Sequence, residues 1–292
     1  MKENTMKNSR RTFFKKSGMG VMALTGASTL VGNYGFGMSP SDAPVNPTKN
    51  DLFKIALAGW TFVKFELQPA LEMTQRVGVN HLCIKDFHLP MDSTDEQISE
   101  FHKKLAEHNI KGYGVGPIYM KTQGDVDKAF DYAKRVGVKL IVGVPLYELL
   151  PYVEKKVKEY DFKYGIHIHG PDDELYPSLP SVHEKVKDLD VRVGMCHDIG
   201  YSAMMGLSPA KQALKYSERI HDMHIKDMTS ADAQGVDCEL GRGVIDFPAL
   251  IDALRKAKYT GMCSMEYEKD DTDPLPGLAE SVGYFNGVIK AV

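Results

Sequence analysis

Histidines and carboxylates end four short apolar segments of this sequence, and they are the side chains best suited to chemistry. The segments are GIHIHGP (165–171), VGMCHDIG (193–200), RIHDMHIKD (219–227) and MCSMEYE (262–268). A short apolar run that stops at a polar residue is typical of a buried strand whose end lies in a functional site. The residues concerned are His167 or His169, Asp198, His224 and Glu266.

Two imidazoles and two carboxylates would form a mixed nitrogen and oxygen ligand set. Such a set suits Mn²⁺, Fe²⁺, Co²⁺ or Zn²⁺ better than Ca²⁺, which prefers oxygen ligands alone. A single histidine at a strand end is more often structural, but four candidates on four successive strands favour a metal site. We therefore expect the protein to bind one divalent metal ion (Mn, Zn, Co, Fe or Mg).

Lys226 stands two residues after His224 in HDMHIKD. Alternate residues of a strand face the same way, so the two side chains should point together, one pleat apart. Lys226 could then bind a substrate oxygen, or act as a base if a metal lowers its pKa. The alternative is an ion pair of Lys226 with Glu266 or Asp227.

The elements that must position these residues alternate regularly between strand and helix. From residue 51 onward we predict eight units, each a β-rich run followed by an amphipathic helical stretch. Eight such units in 242 residues, with polar candidates at several strand ends, favour an α/β fold of the (β/α)8 TIM barrel type. No GxGxxG or GxxxxGKS/T motif follows a strand, which removes the usual support for a Rossmann or P-loop domain.

The predicted strands cover residues 53–59, 81–87, 112–118, 139–144, 162–169, 191–196, 220–226 and 261–268. The predicted helices cover residues 67–77, 97–108, 126–136, 147–160, 181–188, 209–218, 247–258 and 278–291.

Residues 1–50 are predicted to lie outside the barrel. The basic run SRRTFFKK (9–16) precedes an uncharged Gly-, Ala- and Ser-rich stretch, which is typical of a twin-arginine export signal over residues 1–32. A Pro-, Ser- and Asn-containing linker follows at residues 33–50, and the barrel spans residues 51–292. The apolar stretch falls short of the about 20 apolar residues that span a bilayer. We therefore expect an exported, periplasmic protein without a stable membrane anchor.

The net charge and the cysteine content limit the classes of ligand and covalent cross-link that we expect. A formal net charge of −3 gives no support for nucleic acid as a ligand. The four cysteines form no CxxC pair, and three lie in apolar runs, which indicates buried free thiols rather than a disulfide framework or a metal role. The sequence leaves the oligomeric state open, a homo-oligomer included.

The barrel region resembles the xylose isomerase-like barrels, the sugar phosphate isomerase/epimerase group that also includes endonuclease IV-type enzymes. The resemblance covers nearly all of residues 52–292 and is carried by CHDIG, HDMHIKD, ELGRGVIDFPALIDAL and YTGMCSMEYE. It implies one divalent metal held by Glu, Asp, His and Glu from strands five to eight. By position, Asp198, His224 and Glu266 match the last three of these ligands.

The first ligand position departs from the family pattern. Where the epimerases have a glutamate on strand five, this chain has His167. We assign His167 to this ligand position, although His169 has the same parity on the strand. Because those epimerases use both glutamates as acid/base groups, a symmetrical two-glutamate mechanism is not expected here. The catalytic candidates are Glu266, Lys226 and His169, the last of which could also contact a neighbouring ligand.

Five further residues are predicted to bind the substrate. Trp60 follows strand one and could stack on a sugar ring or instead plug the core. Lys85 and His88 end strand two, and Arg242 lies in a glycine-rich loop where it could grip a carboxylate or hydroxyl. Tyr201 lies close to where relatives often have a histidine, and could donate a hydrogen bond or be a surface aromatic residue.

The expected activity is that of a sugar isomerase or epimerase working through an enediolate on a non-phosphorylated keto- or aldosugar. Export argues against a phosphorylated substrate, because sugar phosphates are cytosolic metabolites. One alternative is a metal-dependent lyase or dehydratase acting on a ketosugar or a 3-ketoglycoside. A second is a non-catalytic sugar-binding barrel. An endonuclease IV-like activity would require more metal ligands and a basic groove, and is not expected.

Overall fold

The structure, a computed structural model, describes residues 51–292 of the chain. The export signal predicted for residues 1–32 and the linker predicted for residues 33–50 lie outside the described residues. Within residues 51–292, no helix is both long enough and apolar enough to cross a bilayer.

Eight parallel strands close into a barrel in the order in which they occur along the chain, with the first strand paired to the last. They are β1 (Lys54–Ala58), β2 (His81–Ile84), β3 (Lys111–Met120), β4 (Leu140–Pro145), β5 (Lys163–His167), β6 (Val193–Asp198), β7 (Ile220–Ile225) and β8 (Met262–Met265). The predicted (β/α)8 TIM barrel is therefore confirmed.

Helices follow each strand, and two helices separate β6 from β7. Those in residues 51–292 are α1 (Leu67–Arg76), α2 (Asp95–Glu107), α3 (Gln123–Val136), α4 (Leu150–Tyr160), α5 (Leu179–Val186), α6 (Ile199–Met204), α7 (Pro209–Lys215), α8 (Phe247–Lys256) and α9 (Leu275–Ala291). The six-residue α6 was not predicted, because it is too short to show a helical period in the sequence.

The start of α2 illustrates how local sequence sets an element boundary. The Thr94 hydroxyl accepts a hydrogen bond from the backbone N–H of Gln97, and the Gln97 side chain accepts one from the backbone N–H of Thr94. This reciprocal cap satisfies two donors that the helix itself cannot, and a cap of this kind contributes about 1 kcal/mol. With Thr94 as its cap, α2 begins at Asp95, two residues before the predicted start at residue 97.

The core lies in the barrel interior and in the layer between strands and helices. Phe130 of α3 and Phe247 of α8 are fully buried against the strands, and burying such a side chain contributes about 1.5–3 kcal/mol. All four cysteines are free and buried, as the apolar runs around three of them indicate.

Among the strand ends that differ from the prediction, those of β6 and β8 determine where two candidate ligands lie. Strand β6 continues through Asp198, two residues further than expected, because it pairs with β7 as far as His224. Strand β8 ends at Met265, so Glu266 is the first residue after the strand. Asp198 and Glu266 consequently stand at the rim of the barrel, where the carboxyl ends of the strands meet.

The loop between β7 and α8 is organised by the buried carboxylate of Asp227. Its Oδ2 accepts hydrogen bonds from the backbone N–H groups of Gly241 and Gly243, each at 2.9 Å. Its Oδ1 accepts from those of Met228 at 2.9 Å and Ile245 at 3.1 Å. A Cβ at Gly243 would lie 2.3 Å from Oδ1, so the close approach requires glycine.

We expect Asp227→Asn to destabilise the protein by about 2–4 kcal/mol, because an amide replaces one acceptor oxygen with a donor that faces backbone N–H groups. The free energy of unfolding in urea measures this effect. Asp252→Asn on the exposed face of α8 is the matched control and should change it by less than about 0.5 kcal/mol. Equal stability of the two variants would contradict the role assigned to Asp227.

Candidate metal centre

Four candidate ligands come from the ends of four neighbouring strands. His167 is the last residue of β5, Asp198 the last of β6, His224 lies near the end of β7, and Glu266 follows β8. The strand register places His224 directly opposite both Asp198 and Ser264. As a result, one donor atom from each of the four side chains lies within 4.8 Å of the others, and all four residues are buried.

The distances within this cluster suit a single ion. His167 Nε2 lies 2.9 Å from His224 Nδ1, which in turn lies 3.1 Å from Glu266 Oε2. Asp198 Oδ2 lies 3.8 Å from His167 Nε2. Bonds of about 2.0–2.2 Å from one ion to nitrogen and oxygen ligands place neighbouring donors about 3–3.6 Å apart. The donor types and their separations therefore fit a transition-metal ion.

Asp198 provides a further test of this fit. Its Oδ1 accepts a hydrogen bond from the backbone N–H of Tyr201 and so caps α6, at a distance of 2.9 Å. Its Oδ2 is buried and accepts no hydrogen bond of good geometry in the described part of the chain, and the ammonium group of Lys226 lies 3.2 Å from it. A buried carboxylate oxygen that is paired only with a cation and faces the other donors of the cluster is suited to binding a metal ion.

The same proximity shifts the protonation of the candidate ligands. Burial opposes a charge on His224, but the adjacent Glu266 carboxylate outweighs it and raises the pKa of His224 to about 9. Burial likewise opposes the charge on Glu266, yet His224 and Lys226 hold its pKa well below the usual value. The pKa of His167 falls well below its usual value, first through burial and then through the neighbouring His224. The site thus contains one neutral and one charged imidazole.

Lys226 contacts the cluster from the next pleat of β7. Its Nζ lies 2.8 Å from Glu266 Oε2 and 3.2 Å from Asp198 Oδ2. The predicted ion pair with Glu266 is present, whereas Asp227 is turned away into its own loop. Burial opposes the ammonium charge, but the surrounding carboxylates outweigh it and raise the pKa of Lys226 well above its usual value. Among these carboxylates Lys226 carries a proton, and its action as a base under the influence of a metal ion stays a prediction.

His169 lies beside the cluster rather than in it. Its Nε2 is 3.2 Å from Nδ1 of His167 and 2.9 Å from the hydroxyl of Tyr119. Its Nδ1 lies 3.0 Å from Asp173. Burial lowers the pKa of His169 and outweighs the opposing effect of Asp173, which leaves the imidazole neutral at pH 7. Of the two histidines whose roles the sequence left open, His167 joins the four-residue cluster and His169 faces the pocket.

Two residues of the cluster, His167 and Glu266, line a pocket of about 160 Å³. Three predicted substrate-binding residues lie in its wall, namely Trp60, Lys85 and Tyr201. Trp60 is 40% exposed, so the alternative that it plugs the core is wrong. Tyr201 is half-buried and its ring lies 4.9 Å from Lys226 Nζ, so it is a wall residue and not an isolated surface aromatic.

Two predicted substrate-binding residues lie elsewhere and require correction. His88 Nε2 lies 2.9 Å from the backbone oxygen of Phe65, and this contact holds the turn after β2. Arg242 forms a two-pronged ion pair with Glu280 of α9, at 2.5 and 2.7 Å, and its side chain is largely exposed. Neither side chain lines the pocket. The local sequence around His88 and Arg242 places each residue near a strand end or in a loop, but it does not indicate the direction of the side chain.

Three residues of the site were missed in the sequence. Tyr119 of β3 and Glu268 line the pocket, and Glu268 accepts a hydrogen bond from the Trp60 indole N–H at 2.7 Å. Asp222 lies in the barrel interior, where Tyr113 donates to it at 2.9 Å and burial raises its pKa to about 7. Strand parity could have indicated Asp222 and Glu268, because they stand two residues from His224 and Glu266.

Comparison with known proteins gives sequence and structural relatives. The rhizopine catabolism protein MocC of Rhizobium meliloti is 28% identical over 110 residues, which span 32% of this chain and 34% of MocC. The crystal structure of the IolI protein with a bound zinc atom superimposes with a TM-score of 0.65 at 17% identity, covering 82% of this chain and 99% of IolI. AsbF of Bacillus anthracis, described as a probable 3-DHS dehydratase, gives a TM-score of 0.64 at 13% identity and covers 79% and 98% of the two chains.

The family model described as xylose isomerase-like TIM barrel matches residues 72–287, which is most of the chain and most of the barrel. The structural relatives share the fold, and the resemblance carried by CHDIG, HDMHIKD, ELGRGVIDFPALIDAL and YTGMCSMEYE agrees with the model match. The chain belongs to the xylose isomerase-like TIM barrel family.

Proposed function

We propose that this protein is a metal-dependent enzyme that removes and returns the proton next to the carbonyl group of a non-phosphorylated sugar, as a sugar isomerase or epimerase. The observation that carries the proposal is the convergence of His167, Asp198, His224 and Glu266 beside a pocket that two of them, His167 and Glu266, line together with His169. The zinc atom bound by the IolI relative supports a metal at such a site.

His167, Asp198, His224 and Glu266 would hold one divalent ion. When bound, this ion would polarise the substrate carbonyl and stabilise the negative charge that develops on its oxygen. The burial of all four residues keeps water away and strengthens these charge interactions.

The residues proposed for proton transfer differ in their protonation state. His169 is neutral, lines the pocket and is oriented by Asp173, so it is able to accept the proton from carbon. Lys226 carries a proton and lies against Glu266, so it is able to donate one to a substrate oxygen. Glu266, which also lines the pocket, remains a candidate base where one of its oxygens is free of the metal.

The pocket wall favours a neutral sugar. Trp60, Tyr119 and Tyr201 provide aromatic surface, on which the C–H face of a sugar ring can pack. The one lysine that lines this pocket is Lys85, whose Nζ already donates to Asp86 at 2.7 Å and to the backbone oxygen of Pro117 at 3.0 Å. No arginine is among the lining residues of this pocket, and arginine is the usual partner of phosphate.

A lyase or dehydratase acting on a ketosugar or 3-ketoglycoside is the second candidate. The supporting observation is the asymmetry between neutral His169 and protonated Lys226. Elimination needs a base for the carbon-bound proton and a separate acid for the leaving oxygen, whereas epimerisation suits two equivalent groups. The dehydratase description of AsbF, a relative with this fold, is consistent with such a reaction.

We expect the purified protein to contain about one divalent ion per chain, and His224→Ala and Glu266→Gln to lose most of it. Replacing a residue that only hydrogen-bonds to a metal ligand typically lowers metal affinity by about 10–100-fold, and replacing a ligand itself lowers it by more. Metal analysis by plasma mass spectrometry measures this. Incubation with keto- and aldosugars in heavy water should give deuterium incorporation next to the carbonyl, detectable by NMR, with a loss of about 100-fold or more in both variants.

Glu100→Gln on the outer face of α2 is the control for the charge change and should retain the metal and the exchange. Deuterium incorporation with recovery of a sugar of the same formula indicates an isomerase or epimerase. Loss of water or of an aglycone, with a new ultraviolet absorbance, indicates the lyase. A protein that stays metal-free after reconstitution would refute the enzymatic proposal and favour a sugar-binding barrel.

Metal affinity should rise with pH, because His224 must lose a proton before its ring nitrogen can bind an ion. The His224 pKa is about 9, so the proton competes with the metal at every pH below that value. A single competing proton predicts an increase of about tenfold in affinity per pH unit between about pH 6.5 and about pH 8.5. Calorimetric titration at several pH values, in buffers of different ionisation enthalpy, measures the slope and the proton release. An affinity independent of pH would contradict the assignment of His224.

The cellular location is also a proposal. We propose export to the periplasm on the basis of the SRRTFFKK run and the apolar stretch after it. A fusion of residues 1–50 to a reporter that is active only after export would test it, with Arg10 and Arg11 replaced by lysine as the control.

A further inference from the structure

Lys226 is a deeply buried cation of the site. Its side chain is 2% exposed, and its Nζ contacts three carboxylates, at 3.2 Å from Asp198, 2.8 Å from Glu266 and 2.5 Å from Glu268. One ammonium group thus neutralises one carboxylate at the end of β6 and two in the segment after β8. An arrangement of this kind keeps buried negative charges from repelling one another.

Two of these contacts use the oxygens that an ion would need. The ammonium lies against Asp198 Oδ2 and Glu266 Oε2, and the same two atoms face the histidines across the cluster. A lysine and a divalent ion that share two carboxylate oxygens repel each other strongly at such short range in a buried site. Occupation by the ion therefore weakens the hold of Asp198 and Glu266 on Lys226.

The third contact, between the Lys226 ammonium group and Glu268, does not involve a candidate metal ligand. Glu268 is fixed on its other side, because its Oε1 accepts from the Trp60 indole N–H at 2.7 Å and its backbone N–H donates to Asp237 at 2.6 Å. The stem of Lys226 is held as well, since a Cβ on Gly200 would lie 2.5 Å from its Cγ. With its stem fixed, the ammonium group already lies 2.5 Å from Glu268, so it can keep this contact when its hold on Asp198 and Glu266 weakens.

We propose that Lys226 is a built-in counter-ion that competes with the divalent metal for Asp198 and Glu266, and that Glu268 receives its ammonium group when the metal binds. Lys226 and Glu268 are thereby positioning residues that set the metal affinity, in addition to any part Lys226 takes in proton transfer. This inference rests on the proposed function in one respect, namely that a divalent ion binds at the four-residue cluster.

Metal affinity of the full chain tests the competition directly. We expect Lys226→Met, which keeps the length of the chain and removes its charge, to bind Zn²⁺ at least about tenfold more tightly than the wild type. A merely structural role would give weaker binding. Lys226→Gln should change the affinity in the same direction, and circular dichroism checks that both variants are folded. Calorimetric titration with Zn²⁺ at one pH is the measurement.

Lys156→Met is the matched control, because Lys156 is a partly buried lysine on α4 that pairs with Asp127 and Glu159 away from the site. It should leave the Zn²⁺ affinity unchanged. Glu268→Gln should weaken Zn²⁺ binding in the wild-type background but have less effect in the Lys226→Met background, because the residue that Glu268 receives is then absent. The double-mutant cycle isolates this coupling from the simple loss of a negative charge.

Trp60 provides a second readout, since it is the single tryptophan of the chain and bonds to Glu268. Its fluorescence should change when Zn²⁺ binds to the wild type and change much less in Lys226→Met, where no ammonium moves to Glu268. An equal fluorescence change in both proteins would refute the receiving role of Glu268.

Failure of this inference is distinguishable from failure of the proposed function. A wild type that binds no Zn²⁺, together with Lys226 variants that bind none, refutes the metal site itself. A wild type that binds Zn²⁺ with Lys226→Met and Lys226→Gln binding equally or less tightly refutes only the counter-ion role.

Discussion

The balance of charge at the carboxyl ends of the barrel strands is the constraint on which the site depends. Asp198 and Glu266 are both buried, and two unpaired carboxylates so close together would be unstable without cations beside them. Lys226 and His224 supply that charge from alternate positions at the end of β7. The spacing of HDMHIKD therefore matters because one strand delivers both cations to the same face.

The barrel converts this spacing into a site by fixing where each strand ends. Pairing of β6 with β7 as far as the contact between Asp198 and His224 sets the height of both residues at the rim. Helix α6 then begins at once and is capped by the other oxygen of Asp198. One oxygen of the Asp198 carboxylate thus caps α6, and the other faces the four-residue cluster. A displacement of Asp198 would therefore disturb both the helix cap and the cluster.

A histidine in place of the first glutamate changes the chemistry available. His167 is neutral and contacts His169, which reaches the pocket and is oriented by Asp173. Under the proposed function, an imidazole and an ammonium group would supply a base and an acid that a pair of carboxylates supplies in the epimerases. Such a site is suited to moving a proton from carbon to oxygen, and both the isomerase and the lyase proposals draw on that capacity.

The sequence by itself determined the barrel and most of the cluster. Strand and helix periods are local properties, and so is the cap at Thr94, because each depends on residues within one or two turns of the chain. The strand ends at Asp198, His224 and Glu266 were found for the same reason: a polar residue that ends an apolar run is visible without a partner.

Only the tertiary structure decided how side chains from distant strands meet. His167 and His169 stand two residues apart and so have the same strand parity. The packing of β5 against β6 and β7 brings His167 into the four-residue cluster and leaves His169 beside it, where it faces the pocket. The positions of His88 and Arg242 follow from contacts with Phe65 and Glu280, which lie far from them in sequence. The bond between Trp60 and Glu268 joins residues 208 positions apart. Contacts of this range depend on the closure of the barrel, and no local pattern in the sequence encodes them.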